Sequence, residues 1–447
     1  MNRIILLLCI TLSTSVVCSQ SLSELLIKAD KNYPLIKAKQ YESNARREEL
    51  RFAQSAIIPS LEAGYQVNYA TYNNITGMAT TQHFVPISGP PSSSNSSQAV
   101  LGTAGGLLLN WDVFTFGQRV SRERSAQASL DAQKADEDNE IFQHRIRVAN
   151  TYLDLMMTYE LVKVYQKNLE RAEDNLRIVR SLSASGLRPG VDTALFQSEL
   201  SRARIDLINY ENQRETLSAH FSEMLGDDSF ASVTPDSSFF YRLPVLTDTS
   251  NARLHPALKL SSSRIRVVER ERSVLVRSML PKFSLWATAY GRGSGIRYDG
   301  YVNSQDGLSF SRYNYGAGLV LSVPILQFAR TQYQVRSQEF QVKAQEQVFN
   351  ATKLELAKQE RIADVAFANA IKVANESPSF LSSADYAYRG LLSRYNSGLV
   401  SYTEVIQAQY ALVKAESDLA RAHIEAWKAL LFKSAVTGDI SLFLNQL

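Results

Sequence analysis

The stretch "LEAGYQVNYA", Leu61 to Ala70, sets Leu61, Ala63, Tyr65, Val67 and Tyr69 against Glu62, Gly64, Gln66 and Asn68 in alternation. A period of two is a strand with one apolar and one polar face. A second alternating run, Leu101 to Val113, follows the loop "FVPISGPPSSSNSSQ", whose Pro, Ser and Gly end regular structure. A hairpin is expected over about 61–113. Phe283 to Arg292 and Tyr313 to Val323 repeat the arrangement around "GSGIRYDGYVNSQDG", giving a second hairpin over about 283–324. Each run has about ten residues, the length a tilted strand needs to cross a bilayer.

After each hairpin the period becomes helical. Leu155, Val162, Leu169 and Leu176 recur every seven residues with Tyr165, Ala172 and Val179 between them, a coiled-coil-like seam. No Pro or Gly interrupts Gln118 to Ser185, and Arg330 to Ser397 reads as the same unbroken helix again. At about 1.5 Å per residue each would be roughly 100 Å long.

The chain is an internal tandem repeat. Pro34 and Pro59 return as Pro256 and Pro281, and "YPLIK" is echoed by "HPALK". From about Asn110 the spacing holds at 212 residues, so that Ser185, Gly186 and Leu187 match Ser397, Gly398 and Leu399. Long helices are expected over about 118–184 and 329–396, with return helices over about 190–225 and 402–436. The first repeat then covers 20–226, the second 256–438, with an equatorial linker at 227–255 and a tail at 439–447. In each copy a short helix before the hairpin plus the return helix nearly equals the long helix, so two stacked end to end would flank one. Gly186 and Gly398 become the turns of two antiparallel helix pairs, about 100 Å from the hairpins.

The composition, 45% hydrophobic and 21% charged over 447 residues, is that of a folded protein. A formal charge of +4 with interspersed signs indicates neither a nucleic-acid binder nor a polybasic membrane patch. "MNRIILLLCITLSTSVVCSQ" reads as a signal peptide over 1–19, and both cysteines, Cys9 and Cys18, would leave with it. Lipidation of Cys18 is the alternative, disfavoured by its Ser15-Val16-Val17 lead-in. No later stretch approaches the roughly 18 apolar residues of a spanning helix, so membrane entry would be by strands. Four strands cannot close, and open edges are not tolerated in lipid. Two chains would supply eight strands and a side-chain-filled interior, and three would supply twelve and a pore. A soluble sheet is the plain alternative, but long polar helices offer nothing to cover it. The expected fold class is α plus membrane β, with long antiparallel helices, two hairpins per chain and a barrel completed by a homotrimer.

The chain resembles the TolC family of outer-membrane efflux ducts. The resemblance rests on "YPLIKAKQ", "AIIPSLE", "LNWDVFTFGQR", "LSVPILQFAR" and the turns "SGLRPGVD" and "SGLVSYTE", doubled and in order over nearly all of the chain beyond residue 19. It implies a twelve-stranded barrel in the outer membrane of a Gram-negative bacterium and a helical tunnel across the periplasm. It also implies partners: a periplasmic adaptor and an inner-membrane pump or ABC exporter. By the family's pattern, acids beyond the second turn line a constriction. Glu404 takes the first of these places and Gln407 the second, while Asp192 matches a linking acid after the first turn and Tyr395 a tyrosine before the second glycine. The family's second-turn arginine falls on Val400, which leaves the ring one acid and the closing bonds open. Helix capping by Asp192 and Glu404 is the structural alternative.

The five histidines are scattered, "GRGSG" at Gly291 to Gly295 opens no helix and reads as a flexible hairpin tip, and no G-x-S-x-G is present. No enzyme, cofactor or metal is expected. Arg119, Arg122 and Arg124 would lie at the periplasmic lipid boundary or on a solvated helix face. The expected function is export of small toxic compounds through an acid-lined iris. A protein-secretion duct and a non-conducting, barrel-anchored spacer or adhesin stay open.

Overall fold

Apolar alternation and heptad seams yield two structural units in the computed structural model, which describes residues 21–71, 73, 94–228, 236–246, 255–297, 299 and 301–447. The signal segment, most of the first hairpin loop and parts of the linker lie outside these residues.

One unit, residues 44–132 and 263–346, contains all four strands: β1 (Ser60–Thr71), β2 (Ala99–Phe114), β3 (Lys282–Ser294) and β4 (Arg312–Ser322). They form one antiparallel sheet in the order β1-β2-β3-β4. Register places partners on a common face. Ala63, Leu107, Ala289 and Tyr315 share one face, as do Leu61, Leu109, Ala287 and Ala317. Glu62, Leu108, Thr288 and Gly316 share the other, with Gln66, Arg292 and Arg312. A hollow of about 410 Å³ on the sheet is lined by Glu62, Gln66, Thr288 and Tyr290 of the polar face together with Ala63, Tyr65 and Leu107 of the apolar one. A bulge between Asp112 and Phe114 bends the foot of β2. The β3–β4 loop folds back onto the apolar face. There Phe310 lies against Tyr65, and the Thr103 hydroxyl donates to the Gly307 carbonyl at 2.8 Å. A Cβ on Gly293 would run into the Ser309 carbonyl, so "GRGSG" is close-packed backbone rather than a flexible tip.

The other unit, residues 1–43, 133–262 and 347–447, is helical. The helices of the chain are α1 (Leu22–Asn32), α2 (Pro34–Gln54), α3 (Gln118–Ala184), α4 (Gly190–Met224), α5 (Pro256–Ser278), α6 (Gln327–Asn396), α7 (Tyr402–Thr437) and α8 (Ser441–Leu444). The sequence reading omits α1 and α8. It also overlooks Pro378 and Gly390 inside α6, which continues as one helix although Pro378 has no N–H for the carbonyl a turn earlier.

The return helices stack end to end on the short ones. α4 ends at Gly226, φ +64, where the Asp227 N–H bonds to the Ser222 carbonyl, and a Cβ here would lie 2.7 Å from the carbonyl carbon of Asn32, the last residue of α1, at its junction with α2. α7 ends likewise at Gly438, φ +76, against His255 at the start of α5. A buried histidine seals each joint. His144, stacked on Tyr33, bonds through Nε2 to the Met224 carbonyl at 2.9 Å, and His255 bonds through Nε2 to that of Ala435 at 3.0 Å. Burial holds both below the usual imidazole pKa.

The main core joins α1, the middle of α3, the ends of α4 and α7, and α8 around Trp427, which is 2% exposed. Its indole N–H is shared between the carbonyls of Phe239 and Arg242, pinning the described part of the linker. We predict that Trp427→Phe, which leaves these carbonyls without a donor and a small void beside Phe239 and Phe443, costs at least about 2 kcal/mol. Thermal unfolding followed by circular dichroism checks this, and an unchanged midpoint would show the bond to be dispensable.

Candidate functional site

The two helix turns are built alike. Gly186, φ +70, and Gly398, φ +81, each take the left-handed conformation, which costs an L residue with a Cβ about 1–2 kcal/mol. Leu187 N–H reaches the Leu182 carbonyl at 3.0 Å, and Leu399 N–H that of Arg394 at 2.9 Å. This pairing satisfies orphan carbonyls at a helix end and reverses the chain.

Beyond the turns the copies diverge. Ser401 and Glu404 form a capping arrangement, with the Ser401 N–H and hydroxyl donating to Glu404 Oε1 at 3.1 and 3.0 Å. These bonds, backbone first, hold the Glu404 carboxyl below its usual pKa, while the side chain stays exposed. Gln407 is exposed one turn further along α7. Asp192, in the first turn of α4, is 9% exposed and accepts the Tyr395 hydroxyl at 2.8 Å. Tyr395 is fully buried, and burial followed by this bond raises its phenol pKa. The fold thus brings Asp192 and Tyr395 together and leaves Glu404 and Gln407 on exposed surface.

Arg188, a residue the sequence reading leaves without a role, completes this cluster. Its guanidinium lies 4.1 Å from the centre of the Tyr395 ring. It donates to the Tyr395 carbonyl and, at 3.3 Å, to that of Val400. The cation beside the Tyr395 and Val400 carbonyls thus comes from the first turn. Phe196 and Tyr402, 4.7 Å between ring centres, pack beside it, and the Tyr402 hydroxyl donates to the Leu195 carbonyl. Further along, Asn175 donates to the Tyr388 hydroxyl and to Gln409, which donates to Asn168, while Arg171 forks onto Glu416 at 2.9 and 2.6 Å. Such buried polar pairs fix which helix faces meet.

In the strand unit much of the apolar face outside the seat of the β3–β4 loop is exposed. Leu61, Tyr65, Tyr69, Tyr315, Leu319 and Leu321 are exposed, and so are Phe114, Phe116, Ile325 and Phe328 beside the strand feet. So large an apolar surface on a folded chain marks contact with lipid or protein. Among the described residues no helix is long and apolar enough to cross a membrane, and no group of three or more His, Cys, Asp or Glu side chains could hold a metal ion.

The family model for outer membrane efflux proteins matches residues 25–227 and 254–430. The pyoverdine export outer membrane protein OpmQ of Pseudomonas aeruginosa is 24% identical over 234 residues, 52% of this chain and 48% of that protein. The chain therefore spans about half the length of this curated relative. Among solved structures, the outer-membrane channel OprN aligns with a TM-score of 0.75 at 14% identity, covering 93% of this chain and 89% of that one. The outer membrane protein VceC of Vibrio cholerae aligns with a TM-score of 0.75 at 14% identity, covering 94% and 96%. At such identities the likeness shows the fold.

Proposed function

This chain belongs to the outer membrane efflux protein family, and from that premise we propose that three copies form one channel-tunnel exporting small molecules across the outer membrane. The observation that carries this reading is the four-stranded sheet with two free edges, β1 and β4, one face mostly apolar and the other more polar. Unpaired edges are costly in lipid, where no water replaces the missing bonds. Three copies joined edge to edge give twelve strands, wide enough for a water-filled interior. The apolar residues then face lipid, and the aromatic residues beside the strand feet form an interfacial girdle. Cargo of the siderophore or drug class is supported by the name of the relative OpmQ. Delivery through a periplasmic adaptor and an inner-membrane pump follows from the family.

The helix turns form the narrow part. Arg188, Asp192 and Tyr395 tie the two helix pairs of one chain together, and Glu404, with Gln407 beyond it, supplies the carboxylate at the constriction. The test is reconstitution of the purified protein in a planar bilayer with reversal potentials in a salt gradient. A cation-selective conductance supports the reading; inserted trimers that never conduct would leave an anchored spacer. Loss of drug resistance on gene deletion, with secreted proteins unaffected, would separate small-molecule export from protein secretion.

Glu404→Gln should reduce cation preference while leaving the turn folded, because the amide oxygen still accepts from Ser401. The sign with pH follows from the depressed pKa. The charge, and the capping bonds it strengthens, persist as pH falls through the ordinary glutamate range, and both are lost only below it. Reversal potentials at stepped pH read this directly. Selectivity that does not change in the variant would leave Glu404 a cap alone.

A further inference from the structure

At the foot of the polar sheet face, a recess of about 470 Å³ is lined by Asp112, Gln118, Arg119, Arg122, Lys282 and Ser322, among others. Register puts Asp112 beside Ser284 and Lys282 beside Ser322, all on the polar face. The one carboxylate here is engaged: Asp112 accepts the Ser284 hydroxyl at 2.5 Å and lies 3.5 Å from Lys282. Arg119 folds back to donate to the Asp112 backbone carbonyl. Arg122, one helical turn further on, is exposed and pairs with no carboxylate among the described residues, while neighbouring Glu123 accepts the Gln54 amide. Three cations thus surround one occupied anion at the first turn of α3, where the helix dipole adds positive potential.

We infer that this recess binds anionic solutes bearing carboxylate or phosphate groups as they pass along the lumen. The inference rests on the pore reading above. Guanidinium groups suit it because their planar forks match carboxylate and phosphate oxygens with two donors each. Three chains would repeat the recess around the lumen, where a low-dielectric wall concentrates the field and attracts anions. The cationic foot and the acidic turns would then sort solutes separately, the turns by excluding surplus negative charge and the foot by holding it.

The test is block of current by citrate, a small trianion, across bilayers of neutral phosphatidylcholine in about 0.1 M salt, where charges still act over about 10 Å. Citrate added to either chamber in turn should reduce the current of the native channel. In R119Q/R122Q the half-blocking concentration should rise about tenfold, the scale of one lost charge-assisted contact. The single variant R122Q should shift it the same way, and R119K/R122K should restore part of the block. Heat-resistant trimers on gels confirm assembly of each variant. Conducting native channels that citrate does not block, or equal block in R119Q/R122Q, would overturn the inference and leave the pore reading intact. The phosphate of an anionic lipid has the same chemistry. If R119Q/R122Q loses co-purified phosphatidylglycerol in native mass spectrometry while citrate block is unchanged, the recess is a lipid site and the inference falls. Trimers that conduct nothing would remove the pore reading and the inference together.

Discussion

Gly226→Val should destabilise the fold severely. Gly226 closes α4 at φ +64 and faces the Asn32 carbonyl carbon at 2.7 Å and its oxygen at 2.8 Å from where a Cβ would stand. Two costs combine. The left-handed conformation costs a residue with a Cβ about 1–2 kcal/mol, and a β-branched side chain is worst placed to adopt it. The neighbour is backbone, so relief requires parting α4 from the α1–α2 junction and, with it, the bond from His144 to Met224. About 3–5 kcal/mol is expected, a large share of the roughly 5–15 kcal/mol typical of a folded protein. Gly186→Val is the control. Gly186 has a similar φ of +70, but a Cβ there would meet nothing within 4 Å. It should lose only the conformational part, about 1–2 kcal/mol. Thermal unfolding of the two variants side by side separates strain from packing. Equal midpoints would mean that the joint tolerates separation and that end-to-end stacking contributes little.

That joint also marks how far the sequence can be read. The strands are legible because one face is apolar and the other polar, which imposes period two on Leu61 to Ala70 and its counterparts. The turns are legible because a left-handed residue after a long helix selects glycine at 186 and 398. The stacking of short on return helices follows from their lengths alone. The histidine seals do not, because a buried His144 and a solvated histidine look the same in a polar helix. Arg188 carries no local signal either. Its partners, the Tyr395 and Val400 carbonyls, lie over 200 residues away and are backbone, which any sequence supplies. The pairing of Asp192 with Tyr395 is approached only through family resemblance, since neither composition nor period marks an acid that will be buried. The seat of the β3–β4 loop is hidden for a related reason: glycines that read as flexibility are the places where two backbones come closest.

The largest functional effect should come from R188A/Y395F, which removes the two ties nearest the turns and leaves those of Tyr402, Asn175 and Arg171 in place. The Tyr395 hydroxyl bond to a buried carboxylate is charge-assisted and worth about 1.5–3 kcal/mol. Arg188 supplies a cation at the end of α6, donors for two carbonyls and a stacked ring contact, together about 1–2 kcal/mol at a half-buried site. Both ties act through Tyr395, so their losses should not add fully, and about 3 kcal/mol is a fair combined figure. If these ties hold the turns together in the resting channel, that much free energy shifts the balance toward separated turns by roughly a hundredfold. The resting conductance of R188A/Y395F should therefore rise well above that of the native channel, with longer openings. Asp192→Asn should behave differently, because Asn keeps an oxygen for the Tyr395 hydroxyl and removes only the charge. It should weaken the tie without releasing it, giving a conductance between the two. Assembled trimers of R188A/Y395F with native conductance would show that these contacts shape the turns without closing them, and closure would then have to come from contacts between chains.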